Sequence, residues 1–408
     1  MIKCSKYKLS ECCLSISDGD HLPPPKSESG IPFVSIADID SSNRLNLNVK
    51  QFVPEEYYNN LKDIRKAQRN DILYSVVGSF GIPVIIKGND KFAFQRNIAI
   101  LRPDPTKVIP DYLFYIMKTY NFYKQADSVA IGAAQRVITL TALRNMTVEL
   151  PSMDVQKKIA TILSRYDSLI DNYQKQIKLL EEAAQRLYKE WFVNLRFPGH
   201  ENAKIVDGVP EGWEKKTLGD VFSFVRGKSY TSKELSNSGI VMVNLKNIAS
   251  YGGYKRNAEK YFTGIYKQNQ SLLKGDLVMG VTDMTKERRL VGHVAMVPYL
   301  SDMVTFTMDL IKLLPFDLPN SFVYAAMRFG GISQKISPLA NGVNVLHLKP
   351  EAIMDIEFVE PQRDLVDRYS HFAENTFEEV WKLEAQIDKL TESRDRLLPK
   401  LLSGEIEV

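Results

Sequence analysis

Gly227-Lys228-Ser229 has the composition of the end of a phosphate-binding loop, but the spacing fails. Such a loop needs a glycine five positions before its last one, so that the backbone can wrap a phosphate, and that position holds Phe222. The chain has no Gly-x-Gly-x-x-Gly after a strand and no Asp/Asn-Pro-Pro-aromatic signature of amino-methyltransferases. It also lacks His-Glu-x-x-His, Gly-x-Ser-x-Gly and zinc-finger spacing, and no Asp…Glu-x-Lys nuclease arrangement stands out. The five histidines (His21, His200, His293, His347 and His371) are scattered, which suits structural or solvated roles. Cys4, Cys12 and Cys13 lie in the first strand-like segment, too close for a disulfide framework and without a second Cys/His pair. His21 is the nearest further ligand, but it stands beside three prolines, so reduced thiols are expected, with no metal site and no catalytic residue.

What remains are basic, amide and aromatic residues in irregular segments. The first half carries Lys62, Arg65 and Arg69, close to Tyr57-Tyr58-Asn59-Asn60. The second half carries Lys246 and Asn247, then Tyr254, Lys255 and Arg256, then Lys286, Arg288 and Arg289. Arg, Lys, Asn and Gln are the side chains that reach phosphates and base edges. Loops are polar in any protein, so the set counts for more than any one member. The net charge of +4 and pI of about 8.6 are compatible with nucleic acid without requiring it. With 44% hydrophobic and 25% charged residues the chain is globular rather than disordered. It contains no stretch of about 20 apolar residues, as a bilayer span needs. The start, MIKCSKYKLSE, has no apolar leader segment, so a cytoplasmic protein is expected.

These groups sit on elements that occur twice. Leu9 and Leu218 open equivalent apolar segments 209 positions apart, and Ser29–Val34 matches Ser238–Val243 at the same offset. Asp71-Ile72-Leu73 matches Asp276-Leu277-Val278 at 205, and Phe94–Pro103 matches Phe306–Pro315 at 212. Gly132, Ile138, Leu143, Met146, Val148 and Pro151 match Gly342, Leu348, Ile353, Ile356, Phe358 and Pro361 at 210. Order is kept and the offset drifts by only a few residues, which marks an internal duplication. Within the first copy, apolar runs predict strands at 33–36, 72–77, 83–86, 98–101 and 146–150, and a helix over 110–126. The second copy predicts strands near 241–245, 277–281, 292–297 and 310–314, with a helix near 321–329.

Each copy is followed by some forty residues poor in Gly and Pro. The first seam reads Ile159, Ile162, Tyr166, Leu169, Tyr173, Ile177, Leu180, Ala184, Leu187 and Trp191. The second reads Val366, Tyr369, Ala373, Thr376, Val380, Leu383, Ile387, Leu390, Arg394, Leu397 and Leu401. Spacings of three and four make these heptad helices. The first is expected to break near Pro198-Gly199 and the second near Gly404. The economical partner for each seam is the other, antiparallel within one chain. A parallel coiled coil between two chains is the alternative.

Taken together, the order resembles the specificity subunit of type I restriction-modification systems. The resemblance is carried by Val209-Pro210-Glu211-Gly212-Trp213-Glu214 with Lys216-Thr217-Leu218-Gly219-Asp220, and by Asp71-Ile72-Leu73 and Gly275-Asp276-Leu277-Val278. It extends to Gly132-Ala133-Ala134-Gln135, to Leu150-Pro151 with Gln156-Lys157-Lys158-Ile159, and to the closing Arg396-Leu397-Leu398-Pro399-Lys400-Leu401-Leu402-Ser403-Gly404-Glu405-Ile406. The resemblance implies a mixed α/β fold with two target-recognition domains, at 1–151 and 215–361. Two long antiparallel coiled-coil helices at 152–195 and 362–404 separate them, with a linker at 196–214, in an internal pseudo-twofold repeat. It adds Gln135 and neighbouring Arg136 to the DNA-binding candidates. The second copy departs, with Val345 in the place of Gln135 and Asn344 as the nearby amide. The function implied is non-catalytic reading of a bipartite, asymmetric site in double-stranded DNA. The partners implied are two methyltransferase subunits and two restriction/translocase subunits. S-adenosylmethionine, ATP and magnesium would belong to those partners and none to this chain. A coiled-coil scaffold whose repeated domains bind protein is the rival reading.

Overall fold

A computed structural model describes the chain except for residues 1–3, 22, 41–42 and 134, so Ala134 of the Gly-x-x-Gln segment lies outside the described residues. The chain divides into two compact units, one of residues 1–172 with 387–408, the other of residues 173–386.

In the first unit the apolar runs form an antiparallel sheet in the order Cys13–Asp18, Ile98–Pro103, Ile72–Ser75, Pro83–Ile85. A smaller sheet holds Phe52–Val53, Ile31–Val34 and, parallel to the latter, Ala93–Phe94. Ser5–Lys8 pairs with Thr147–Leu150 and joins the start of the module to its end. The helix expected over 110–126 is two, Pro110–Met117 and Tyr120–Val129. Thr119 interrupts it: its backbone is extended, its Oγ1 accepts from Phe122 N at 3.2 Å, and that geometry caps a new helix.

The second unit repeats the main sheet strand for strand, and its smaller sheet gains one strand, Leu235–Ser236. Its main sheet runs Phe222–Arg226, Leu310–Pro315, Leu277–Gly280, Val294–Met296. The duplication is visible in the register. Leu73 lies opposite Ile100 in the first unit, and Val278 lies opposite Lys312 in the second, each residue displaced by its own segment's offset. Ser5 opposite Leu150 likewise becomes Glu214 opposite Glu360. Drift in the offset is therefore absorbed in loops, because a slip of one residue would turn a buried face outward.

The Asp-Ile-Leu segment has a structural explanation. Asp71 is buried, accepts from Gln68 N at 2.8 Å, and is gripped by Arg102 through Nε at 3.1 Å and Nη2 at 2.9 Å. Asp276 makes the same turn with Leu273 N at 2.7 Å and pairs with Lys312 at 2.5 Å. Asp71→Ala is expected to cost about 3–5 kcal/mol, because the Arg102 guanidinium stays largely buried without its carboxylate. Urea unfolding of the full chain checks it, and a loss under 1 kcal/mol would contradict the account.

Both long helices are intramolecular partners, Met153–Tyr188 and Arg363–Ser403. In the first unit Ile159, Ala160 and Leu163 share a core with Leu398 and Leu401. In the second, Ala184 and Tyr188 share one with Val366, Tyr369, Ala373 and Phe377, and the Tyr369 hydroxyl donates to Ala184 O at 3.1 Å. The start of each helix meets the end of the other, so the pairing is antiparallel. The first seam departs from the expected spacing where Leu163 and Tyr188 are buried beside half-buried Ile162 and Leu187, and most of all at Leu169, which is 43% exposed beside buried Ile170. The cause at Leu169 is Asp167, which takes a position on the packed face and accepts from Tyr115 Oη and Arg394 Nη1, both at 2.6 Å. Apolar counting skipped that carboxylate. The α-helix ends at Tyr188 rather than near Pro198, continuing as one π-helical turn, Lys189–Val193. That turn brings Phe192 against Tyr188, Phe322 and Tyr369, with centroids 5.0, 5.1 and 5.6 Å apart. The second helix stops before Gly404, whose φ of 76° is the left-handed end a glycine supplies. Among the described residues no helix is long and apolar enough to cross a membrane.

Candidate nucleic-acid interface

Each unit brings two loops together at the end of its central strand. In the first unit, the strand Ile72–Ser75 leads to Gly78, whose N–H donates to Arg136 O at 3.0 Å, and Val77 pairs with Val137. Ile131 and Val137 close the opposite loop on itself. Gly132 has a φ of 103°, and a Cβ there would collide with the Gln135 carbonyl, so the tight loop requires glycine. Gln135 is exposed beside Gly78. Arg136 is held down: it pairs with Asp127 and lies 5.3 Å over the Phe80 ring, which itself stacks on Tyr123 at 5.8 Å.

The second unit builds the same junction with other side chains. Thr282–Asp283 pairs with Leu346–His347, the counterpart of Val77 with Val137. Asn341 and His347 close the turn with hydrogen bonds of 3.0 and 2.8 Å, and Gly342, at φ 149°, would collide with the Val345 carbonyl if it carried a Cβ. The longer connection, 284–289, leaves directly from Asp283. That buried carboxylate accepts from Thr285 N at 2.7 Å, Leu290 N at 2.6 Å and Val291 N at 3.1 Å. Burial by itself would raise the Asp283 pKa, but these backbone donors outweigh it and hold the carboxyl below its ordinary range. Arg288 sits in the left-handed region at φ 53°, its Nη2 3.5 Å from Ala340 O across the junction. A non-glycine residue there costs about 1 kcal/mol or more.

The other predicted residues distribute unevenly. In the first unit Lys62 and Arg69 are exposed, whereas Arg65 donates to Asp20 at 3.0 Å, a carboxylate that also accepts from Tyr57 Oη at 2.9 Å. In the second unit Lys246, Lys255, Lys286 and Asn344 are exposed, Arg256 is half-buried, and Arg289 is exposed with Glu287 at 3.4 Å. One expectation is corrected, and a second candidate is engaged within the fold. Asn247 is fully buried: its Nδ2 donates to Lys255 O at 2.9 Å and its Oδ1 accepts from Asn244, leaving nothing for a base. Tyr254 packs on the core and donates to Glu259 at 2.6 Å. Amide and aromatic types suit base reading, but here they close a loop from within. Among the described residues no group of His, Cys, Asp and Glu is placed to hold a metal ion.

This duplicated architecture is matched by known proteins. Residues 16–182 match the family described as the type I restriction modification DNA specificity domain. The MjaIX specificity subunit of Methanocaldococcus jannaschii is 27% identical over 311 residues, covering 74% of this chain and 70% of that one. The HindI specificity subunit of Haemophilus influenzae is 21% identical over 421 residues, covering 85% and 90%. The solved structure of the type I restriction-modification S subunit from M. genitalium has the same fold, with a TM-score of 0.61 at 16% identity over 98% of this chain and 96% of that one. The chain is similar to type I restriction-modification specificity subunits.

The junctions also present Val343 and Met284, which sequence reasoning passed over. Val343 is 100% exposed at the tip of its turn and Met284 is 78% exposed at the start of the longer loop. Tyr251 is exposed at φ 65°, its N–H donating to Arg289 O at 2.9 Å. Selecting polar types excludes Val and Met by construction. The available signal was an apolar residue between polar neighbours, Val343 after Asn341-Gly342 and before Asn344, and Met284 between Asp283 and Thr285.

Proposed function

We propose that this chain is a type I restriction-modification specificity subunit that reads a bipartite, asymmetric DNA site, each unit taking one half through its two-loop junction. The observation that carries the reading is one junction built twice with different side chains: Gln135 and Arg136 in the first unit, Arg288, Arg289 and Asn344 in the second. A shared frame holds the loops at the same place, and different tips make the two halves non-identical. Two linked readers combine discrimination that neither has alone. The paired helices dock two methyltransferase subunits and fix the gap between the halves, and two restriction/translocase subunits join that assembly. Chemistry resides in the partners, with S-adenosylmethionine on the methyltransferase subunits, and ATP and magnesium on the translocase subunits. The chain by itself is expected to transfer no methyl group from labelled S-adenosylmethionine to duplex DNA; transfer would overturn this part.

Selection from a randomised duplex pool, using the chain assembled with its methyltransferase subunits, tests the reading. Gln135→Ala should relax base preference in one half-site and Arg289→Ala in the other, each by about 1–3 kcal/mol at one position. A side chain that touches only phosphate would weaken binding to all sequences alike and flatten the salt dependence. Variants that alter both halves together, or neither, would remove the junctions from the interface.

A further inference from the structure

We propose that Val343, with Met284 beside the same ladder, reads the C5-methyl group of a thymine in the half-site of the second unit. The inference rests on the DNA-reading proposal above and adds a chemical class of contact. Val343 is fully exposed, yet the turn that carries it is braced by the Asn341–His347 pair, by Gly342 and by Leu348 N–H donating to Val281 O at 2.8 Å. Met284 follows Asp283, which is the last rung of the ladder and lies opposite Leu346. The two apolar side chains therefore start from the same end of one two-stranded ribbon. Asp283 fixes the backbone on the far side of Met284 through the Thr285, Leu290 and Val291 N–H groups, so the Met284 backbone is held although its side chain packs on nothing that would bury it.

An isopropyl group and a thioether on rigid tips gain nothing from the folded chain. They gain when they leave water against another apolar surface. Their surroundings choose the occupant. Lys286 and Arg289 are exposed on the adjoining loop and Asn344 on the same turn, a rim suited to a phosphate-rich partner rather than an apolar protein face. In a duplex the apolar group offered to such a tip in the major groove is the thymine methyl. The equivalent turn of the first unit carries Ala133 and exposed Gln135 where the second carries Val343 and Val345. The valine tip is therefore particular to the second unit's half-site.

The test uses the duplexes enriched from the randomised pool, resynthesised with deoxyuridine for thymidine in one half-site at a time. This substitution removes the methyl and leaves base pairing intact. Uracil in the second unit's half-site, identified by its response to Arg289→Ala, should weaken wild-type binding about three- to fivefold, as loss of one buried methyl predicts. Val343→Ser should bind the two duplexes equally, with Met284→Gln reducing the difference. Both positions are exposed, so the variants should melt like the wild type. Three results overturn the inference: no thymine in that half-site, no effect of uracil, or an equal uracil effect in wild type and both variants. If no duplex is enriched at all, the DNA-reading proposal itself falls, and this inference with it.

Discussion

Inserting four residues into each long helix, after Asn172 in the first and after Gln386 in the second, should lengthen the gap between half-sites by one or two base pairs. The bases read within each half should not change. These are the points at which each helix passes from one unit to the other, so neither unit loses its own contacts. Four residues add about 6 Å of helix, close to two base-pair steps of about 3.4 Å. They also turn the distal segment by about 40°, because 3.6 residues make a turn. Duplex DNA turns in the same sense by roughly 34° per base pair, given about 10.5 base pairs per turn. Translation and rotation thus point to the same small change. Insertion in only one helix would leave the opposed seam without partners and should cost stability instead. Sequencing of methylated sites in cells expressing the variant reads the result. An unchanged gap with altered bases would show that the helices are not the ruler.

Replacing Asp283 should have the largest effect of any single substitution in the second unit's junction. Asp283→Ala removes the acceptor of three backbone N–H groups and leaves Val291 N–H buried, a loss of about 3 kcal/mol or more. The 284–289 loop then loses its anchor, and discrimination in the second half-site should fall more than a hundredfold, with the first half-site still read. Asp283→Asn, which keeps one oxygen acceptor, should fall between. The pH dependence has a fixed sign. Because the folded carboxyl is held below its ordinary value, its contribution is complete above the unfolded value near about pH 4. It is lost as pH falls through the lower folded value, so acid should release this loop in the wild type and leave Asp283→Ala indifferent. Hydrogen exchange at Leu290 and Val291 measures both effects. Unchanged protection in the alanine variant would refute the anchoring role.

Most of the architecture is legible in the sequence because its signals are periodic. The offsets of 209, 205, 212 and 210 reappear as equivalent strand pairs in both units, since strand register must keep the same faces buried. The second seam reads true from Val366 to Leu383, all of whose apolar positions are buried. The first misleads most at Leu169, where a half-buried polar bridge through Asp167 sets the packed face and hydrophobicity carries no record of it. Thr119 breaks a helix that apolar spacing would continue, because a capping hydroxyl competes with the next backbone bond.

By itself the sequence determined that the chain is a duplication, where its strands and long helices lie, and which loops carry charge, because repeats, periodicity and side-chain type are local properties. Only the tertiary structure decided which of those side chains are available. Asn247, Tyr254 and Arg65 are polar residues turned inward or paired, while Val343 and Met284 are apolar residues left outside. The reason is that a loop satisfies its own polar groups first, and which ones it uses depends on donors and acceptors supplied from distant parts of the chain. Asp283 makes the point in one residue. In the sequence it is one carboxylate among many, and in the fold it is the post from which the 284–289 loop hangs.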